Sequence, residues 1–174
     1  MQNPHSVLLY LRPARLVYVR ETGPYEQTIP RAWDRLLNWM DGRGLYKTLG
    51  RGYGLARDNP ADVGPTNCRY DACIEISAEF EDRAIRDLGL ATLPGGAYAC
   101  RRLTGGYDRI RSVVANVYSE FQPLPGLGID EGRPVVTIYV DNPNHYKESD
   151  LRADICMPVT ALDDFVARKT AAAA

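Results

Sequence analysis

In the stretch YDACIEIS, Asp71, Cys73, Glu75 and Ser77 alternate with Tyr70, Ala72, Ile74 and Ile76, and RADICMP repeats the pattern with Asp154, Cys156 and Pro158. Alternate residues of a strand point to opposite faces, so the first stretch has an acidic face and an apolar one, and the second sets Asp154 and Cys156 together. Carboxylates attract cations, and aromatic faces add to that attraction, so a groove lined by both suits a lipophilic cation. Trp33, Tyr18, Tyr98, Tyr107 and Tyr139 are the candidate walls of such a groove. A second reading keeps the acids structural, with Asp71 and Asp154 paired to nearby arginines such as Arg69 and Arg152, because buried charges need partners. Glu75, set mid-strand in ACIEIS, either faces a ligand or lies on a solvated strand face, and Trp33 is either core or groove wall.

Other chemistries find little support. Cys68, Cys73, Cys100 and Cys156 follow no CxxC spacing, and only His5 and His145 are at hand to join them in a metal site, so no metal or other cofactor is expected. Cys156 as a nucleophile lacks a candidate base, and reduced, mostly buried thiols are expected throughout. A net charge of -1 and a pI near 6.1 give no basic field for a direct nucleic-acid partner. No stretch is apolar for the roughly 18 residues of a membrane span. The start MQNPHSVLLYLRPARL is too short and broken an apolar run for a signal peptide, which points to the cytoplasm.

The elements that must position these residues come in duplicate. Thr22, Gly23 and Tyr25 recur 82 positions later as Thr104, Gly105 and Tyr107, and Asp58-Asn-Pro60 recurs 83 positions later as Asp141-Asn-Pro143. Asp71 and Cys73 return as Asp154 and Cys156 at the same 83-residue offset. Each Thr-Gly follows a short run of β-formers, Arg15 to Arg20 or Ala97 to Thr104, and leads into a helical pattern. A phosphate site at these turns is unsupported, since Pro24 removes a donor and no lysine or Walker pattern accompanies them. In the first helix Ile29, Trp33, Leu37 and Met40 form the stripe, with Thr28 as cap and Gly42 and Gly44 as stop. In the second, Asp108 caps a stripe of Ile110, Val113, Val114, Val117 and Phe121.

Two further strands follow each helix: Gly52 to Arg57 and Cys68 to Ser77, then Pro134 to Val140 and Leu151 to Val159. The predicted fold is α+β: duplicated β-α-β-β units related by pseudo-twofold symmetry, an antiparallel sheet with helices on one face, and a groove between the halves. One domain over residues 15–160 holds repeats of about 15–78 and 97–160, with an extension at 1–14 and a tail at 161–174. The connecting stretch from Glu79 to Gly96 is expected to contain a short helical turn.

The segments TGPYEQTIPRAWDRLLNWMDGRGL, YGLARDNP, CRYDACIEI, GGAYACRRLTGGYDRI and TIYVDNPNHYKESDLRADICMPV resemble, in that order, the GyrI-like domain, also found as the effector-binding module of some AraC-type regulators. The resemblance spans Leu16 to Val159 and implies a ligand groove between two β-α-β-β units. It also implies one of three roles: multidrug-type small-molecule binding, inhibition of DNA gyrase, or hydrolysis of strained cyclopropane-bearing toxins. About 15 residues precede the first strand, too few for a DNA-binding module, which suggests a stand-alone member. Family members that bind cations or hydrolyse ligands often carry a glutamate on the last strand, where this chain has Cys156, so catalysis here would fall to Glu75 and Asp71. A gyrase contact would engage acidic loops such as EFEDR, Glu79 to Arg83.

Overall fold

Short runs, most of them rich in β-branched and aromatic residues, form the strands of this chain, in a computed structural model that describes residues 6–43, 50–77, 80, 87–122 and 124–162. The first half contains β1 (Val7–Leu11), β2 (Ala14–Thr22), α1 (Tyr25–Asp41), β3 (Gly52–Ala56), the single turn α2 (Pro60–Val63) and β4 (Arg69–Glu75). The second contains β5 (Gly89–Leu93), β6 (Gly96–Thr104), α3 (Asp108–Glu120), β7 (Leu127–Ile129), β8 (Val135–Tyr139) and β9 (Arg152–Ala161).

Among the described residues the strands form one antiparallel sheet in the order β1-β6-β9-β8-β3-β4-β2-β5, with β7 added on β9. The order reads alike outward from the β3·β8 pair. There Gly54 faces Thr137, while Gly52 faces Tyr139 and Ala56 faces Val135, so the pseudo-twofold axis passes at Gly54. The outermost strands are exchanged. β1 precedes β2 but pairs with β6, and β5 precedes β6 but pairs with β2. Each half therefore completes the other's sheet. The stretch assigned to an amino-terminal extension thus contains β1, and a strand occupies Gly89–Leu93 in the connecting stretch, whose expected helical turn falls partly on residues 79 and 81–86, outside the described residues. A five-residue segment whose β-pairing partner lies in the other half carries little local signal of it.

The helices α1 and α3 lie on one face. Tyr25, Ile29, Ala32, Leu36 and Met40 of α1 and Ile110, Val114 and Val117 of α3 recur at three- and four-residue spacing and are buried against the sheet. The stripe of α1 runs through Leu36, while Leu37 is exposed. The helix starts at Tyr25, so Thr28 lies inside it and donates its hydroxyl to the Pro24 carbonyl at 3.2 Å instead of capping. Tyr107 is the N-cap residue of α3, and Asp108 is its first helical residue, ion-paired with Arg111. The opposite face of the sheet buries Leu16, Leu55, Tyr98, Val136 and Ile138 with no helix over them among the described residues, because the sheet curls into a half-barrel around them.

The recurring Thr-Gly-x-Tyr is a corner lock. The Gly23 and Gly105 N–H groups donate to Cys68 and Leu151 carbonyls, each at 2.8 Å, and both glycines hold a positive φ that favours glycine. Tyr25 donates its hydroxyl to the Asp58 carbonyl at 2.6 Å, and Tyr107 does the same to Asp141. The carboxylates of those aspartates then accept from the backbone N–H and guanidinium of Arg69 and Arg152. Arg69 and Arg152 thus serve the Asn-Pro loops, not Asp71 and Asp154.

The expectation of reduced thiols holds for Cys68 and Cys73, which are free and buried, and fails for the other two. Cys100 and Cys156 are direct register partners across β6 and β9 and form a disulfide. Residues 56 positions apart meet only through the strand register, which spacing alone does not reveal.

Candidate functional site

The site is built on the smallness of β3. Gly52 and Gly54 face the helices: a Cβ on Gly54 would collide with the Tyr70 hydroxyl oxygen at 2.1 Å, and one on Gly52 would press tightly on the Trp33 ring at 3.0 Å. The absence of side chains lets Tyr70 of β4 lie across the pseudo-twofold axis. It also lets Trp33 descend from α1 beside Tyr139 of β8. Three polar atoms converge there. The Trp33 indole N–H donates at 3.2 Å to Tyr70 and 3.1 Å to Tyr139, and the two phenol oxygens are 3.2 Å apart.

The rings pack edge to face. Trp33 and Tyr139 have centroids 4.8 Å apart at 77°, and Tyr107 and Tyr139 are 5.0 Å apart at 81°. Such pairs add about 0.5–1.5 kcal/mol each beyond the area they bury, which holds the rings in fixed orientations. Tyr70 is fully buried, whereas Trp33, Tyr107 and Tyr139 are half-buried. Burial pushes the Tyr139 phenol up to about 12 and raises Tyr70 well above the ordinary tyrosine value, so both keep their protons at neutral pH.

The expected groove residues therefore divide between two faces. Trp33, Tyr107 and Tyr139 come together on the helix side; Asp71, Glu75, Asp154, Tyr18, Tyr98 and Cys156 belong to the other side. Asp71 is fully buried, with one oxygen 2.6 Å from Arg20 Nε and the other 2.9 Å from Arg20 Nη2 and 2.7 Å from Arg57 Nε. Asp154 accepts two bonds from Arg102, both at 2.7 Å. Both carboxylates are neutralised in place.

Glu75 is half-buried and accepts from the Tyr53 hydroxyl at 3.3 Å. Tyr18 lies under Arg20, and Tyr98 lies under Arg133 while donating to the Pro94 carbonyl at 3.1 Å. Cys156 is held in the disulfide. Among the described residues no group of three or more His, Cys, Asp or Glu is placed to hold a metal. The residue that sequence reasoning missed is Tyr70, placed there on the apolar face of its strand. Its signal was the Gly-x-Gly of β3, two small residues on one face that leave room for large neighbours.

Comparison with known proteins follows the same outline. The family model described as a GyrI-like small molecule binding domain matches residues 6–160. A DNA gyrase inhibitor of Serratia proteamaculans is 32% identical over 127 residues, covering 67% of this chain and 78% of its own. Among solved structures, SAV2435 bound to tetraphenylphosphonium superposes with a TM-score of 0.67 at 17% identity, over 92% of this chain and 96% of that one. The EcmrR C-terminal domain gives 0.66 at 14%, over 90% and 98%. At such identities the structural likeness is one of fold. Among the described residues no helix is long and apolar enough to cross a membrane.

Proposed function

Because the chain belongs to the GyrI-like small-molecule-binding domain family, we propose that it binds aromatic and cationic small molecules against Trp33, Tyr107 and Tyr139, on the face of the sheet that carries the helices. The observation that supports this reading most is the aromatic cluster at the pseudo-twofold axis, where half-buried rings stand edge to face around three converging polar atoms. A cation over such a ring gains about 0.5–2 kcal/mol, more as water is excluded. Tetraphenylphosphonium, bound by the structural relative SAV2435, is a cation with several flat faces and is the natural first probe.

The acids on the opposite face contribute little to this recognition. Asp71 and Asp154 already have arginine partners, and Glu75 alternates with helix-facing residues of its strand. Titration of tetraphenylphosphonium by calorimetry, with tryptophan fluorescence in parallel, is expected to show saturable binding. Trp33→Ala is expected to weaken it about tenfold or more, and Glu75→Gln by less than about twofold. A larger loss in Glu75→Gln than in Trp33→Ala would move the site to the other face of the sheet. Mass spectrometry of the recovered ligand distinguishes binding from turnover.

A second reading, inhibition of DNA gyrase, draws on the name of the Serratia relative. It predicts loss of supercoiling at near-stoichiometric protein. Of its suggested contact EFEDR, all but Phe80 lies outside the described residues. Either role fits a cytoplasmic protein, which fractionation of the native host would check.

A further inference from the structure

A count of protons in the aromatic cluster goes one step further. The Trp33 indole offers one donor and no acceptor, while each phenol offers one O–H and an oxygen that accepts. The indole N–H is shared between the Tyr70 and Tyr139 oxygens, and the contact between those oxygens uses one of the two phenol protons. One O–H is left over. Tyr70 is fully buried, with its hydroxyl packed over Gly54, and its contacts there are Trp33 and Tyr139. An unpaired proton in that position would be costly, and donation from Tyr70 to Tyr139 removes the cost. The remaining O–H then belongs to Tyr139, the half-buried member of the pair, flanked by the Trp33 and Tyr107 rings.

Resting on the ligand-binding reading above, we propose that the Tyr139 hydroxyl is a hydrogen-bond donor to the ligand, so that the site selects aromatic molecules bearing an acceptor oxygen over equally shaped ones without it. Charge is not what discriminates among them. The carboxylates Asp71 and Asp154 are paired on the far face, and a donor O–H favours a carbonyl, ether or phosphoryl oxygen whether the molecule is cationic or neutral.

The test compares two probes of matched shape and charge: tetraphenylphosphonium carrying one para-acetyl group, and the same cation carrying a para-isopropenyl group. Calorimetry is expected to show the acetyl probe binding about two- to tenfold more tightly, the range of a net neutral hydrogen bond. Tyr139→Phe is expected to abolish that ratio, and Tyr70→Phe to preserve it, because removal of Tyr70 leaves the Tyr139 proton in place. The carbonyl stretch of the bound acetyl probe is expected to fall in frequency in the wild type, a measurement that needs no variant to fold. Equal affinities with an unshifted carbonyl would overturn the inference and leave the ligand-binding reading standing. Failure of both probes to bind would remove both. A ratio lost in Tyr70→Phe but kept in Tyr139→Phe would also overturn it.

Discussion

Asp58 and Asp141 show at single residues how the repeat became a lock. The hydrogen bond from Arg69 holds the Asp58 carboxyl below its ordinary value, and the one from Arg152 does so for Asp141. As pH falls, the unfolded chain takes up these protons first, near the ordinary value of about 3.9. The stabilisation is therefore fully present above that value and disappears as pH drops through the lower folded-state values. In urea unfolding at a series of pH values, stability from these groups is expected to be flat from pH 7 to about 5 and to fall below about 4. The double variant Asp58→Asn, Asp141→Asn is expected to be weaker at pH 7 and to lose much of that acid dependence. Asp71 and Asp154 are repeat equivalents with unequal surroundings. Asp71 is 0% exposed between two arginines, whereas Arg102, the partner of Asp154, is 51% exposed. Asp71→Ala leaves Arg20 and Arg57 uncompensated and should cost about 3–5 kcal/mol. Asp154→Ala, facing a solvated partner, should cost about 1 kcal/mol or less. Comparable losses in urea unfolding would contradict that ranking.

Strand β3 shows what was legible at the level of elements. A strand from Gly52 to Arg57, one residue longer than the observed Gly52–Ala56, its place after the first helix and its equivalence to β8 could all be read from the sequence, as could the apolar side of β4. The tertiary use of its glycines could not, because the Tyr70 ring arrives from β4, 16 residues along the chain from Gly54, and the Trp33 ring from a helix. The same limit hid the exchange of β1 and β5, the Cys100–Cys156 register and the arginine partners of the acids, all of which are set by contacts between strands distant in sequence. Alternation did assign Asp71 and Glu75 to one face correctly; it was silent on which face carried the aromatic cluster. The glycine requirement can be tested directly. Gly54→Ala places a methyl group against the Tyr70 phenol in a closed layer, and is expected to destabilise by about 1–3 kcal/mol in thermal or urea unfolding. It should also weaken tetraphenylphosphonium binding, since Tyr70 cannot shift without disturbing Trp33 and Tyr139. Tolerance of the alanine with unchanged stability and binding would mean that the ring has room to move.

At the scale of the whole molecule, the two halves are similar but cannot separate. They share the β3·β8 pair at the centre, and each supplies the other's outer strand, so unfolding one half strips hydrogen-bond partners from both. The chain should therefore unfold as one cooperative unit. The disulfide makes this testable, because it lies wholly within the second half, between β6 and β9, while the equivalent register position of the first half holds Tyr18 and Cys73. Both tryptophans, Trp33 and Trp39, belong to α1 in the first half. Closing a loop across 56 residues restricts the unfolded chain by about 4 kcal/mol in the entropic account, so reduction or Cys156→Ala should lower stability by up to that amount. If the halves unfold together, tryptophan fluorescence in the first half must report this loss with the same midpoint shift as far-UV circular dichroism, which averages over all the strands and helices. A fluorescence midpoint that stays put while the dichroism midpoint falls would show that the halves unfold independently, and that the exchanged strands do not bind them into a single cooperative fold.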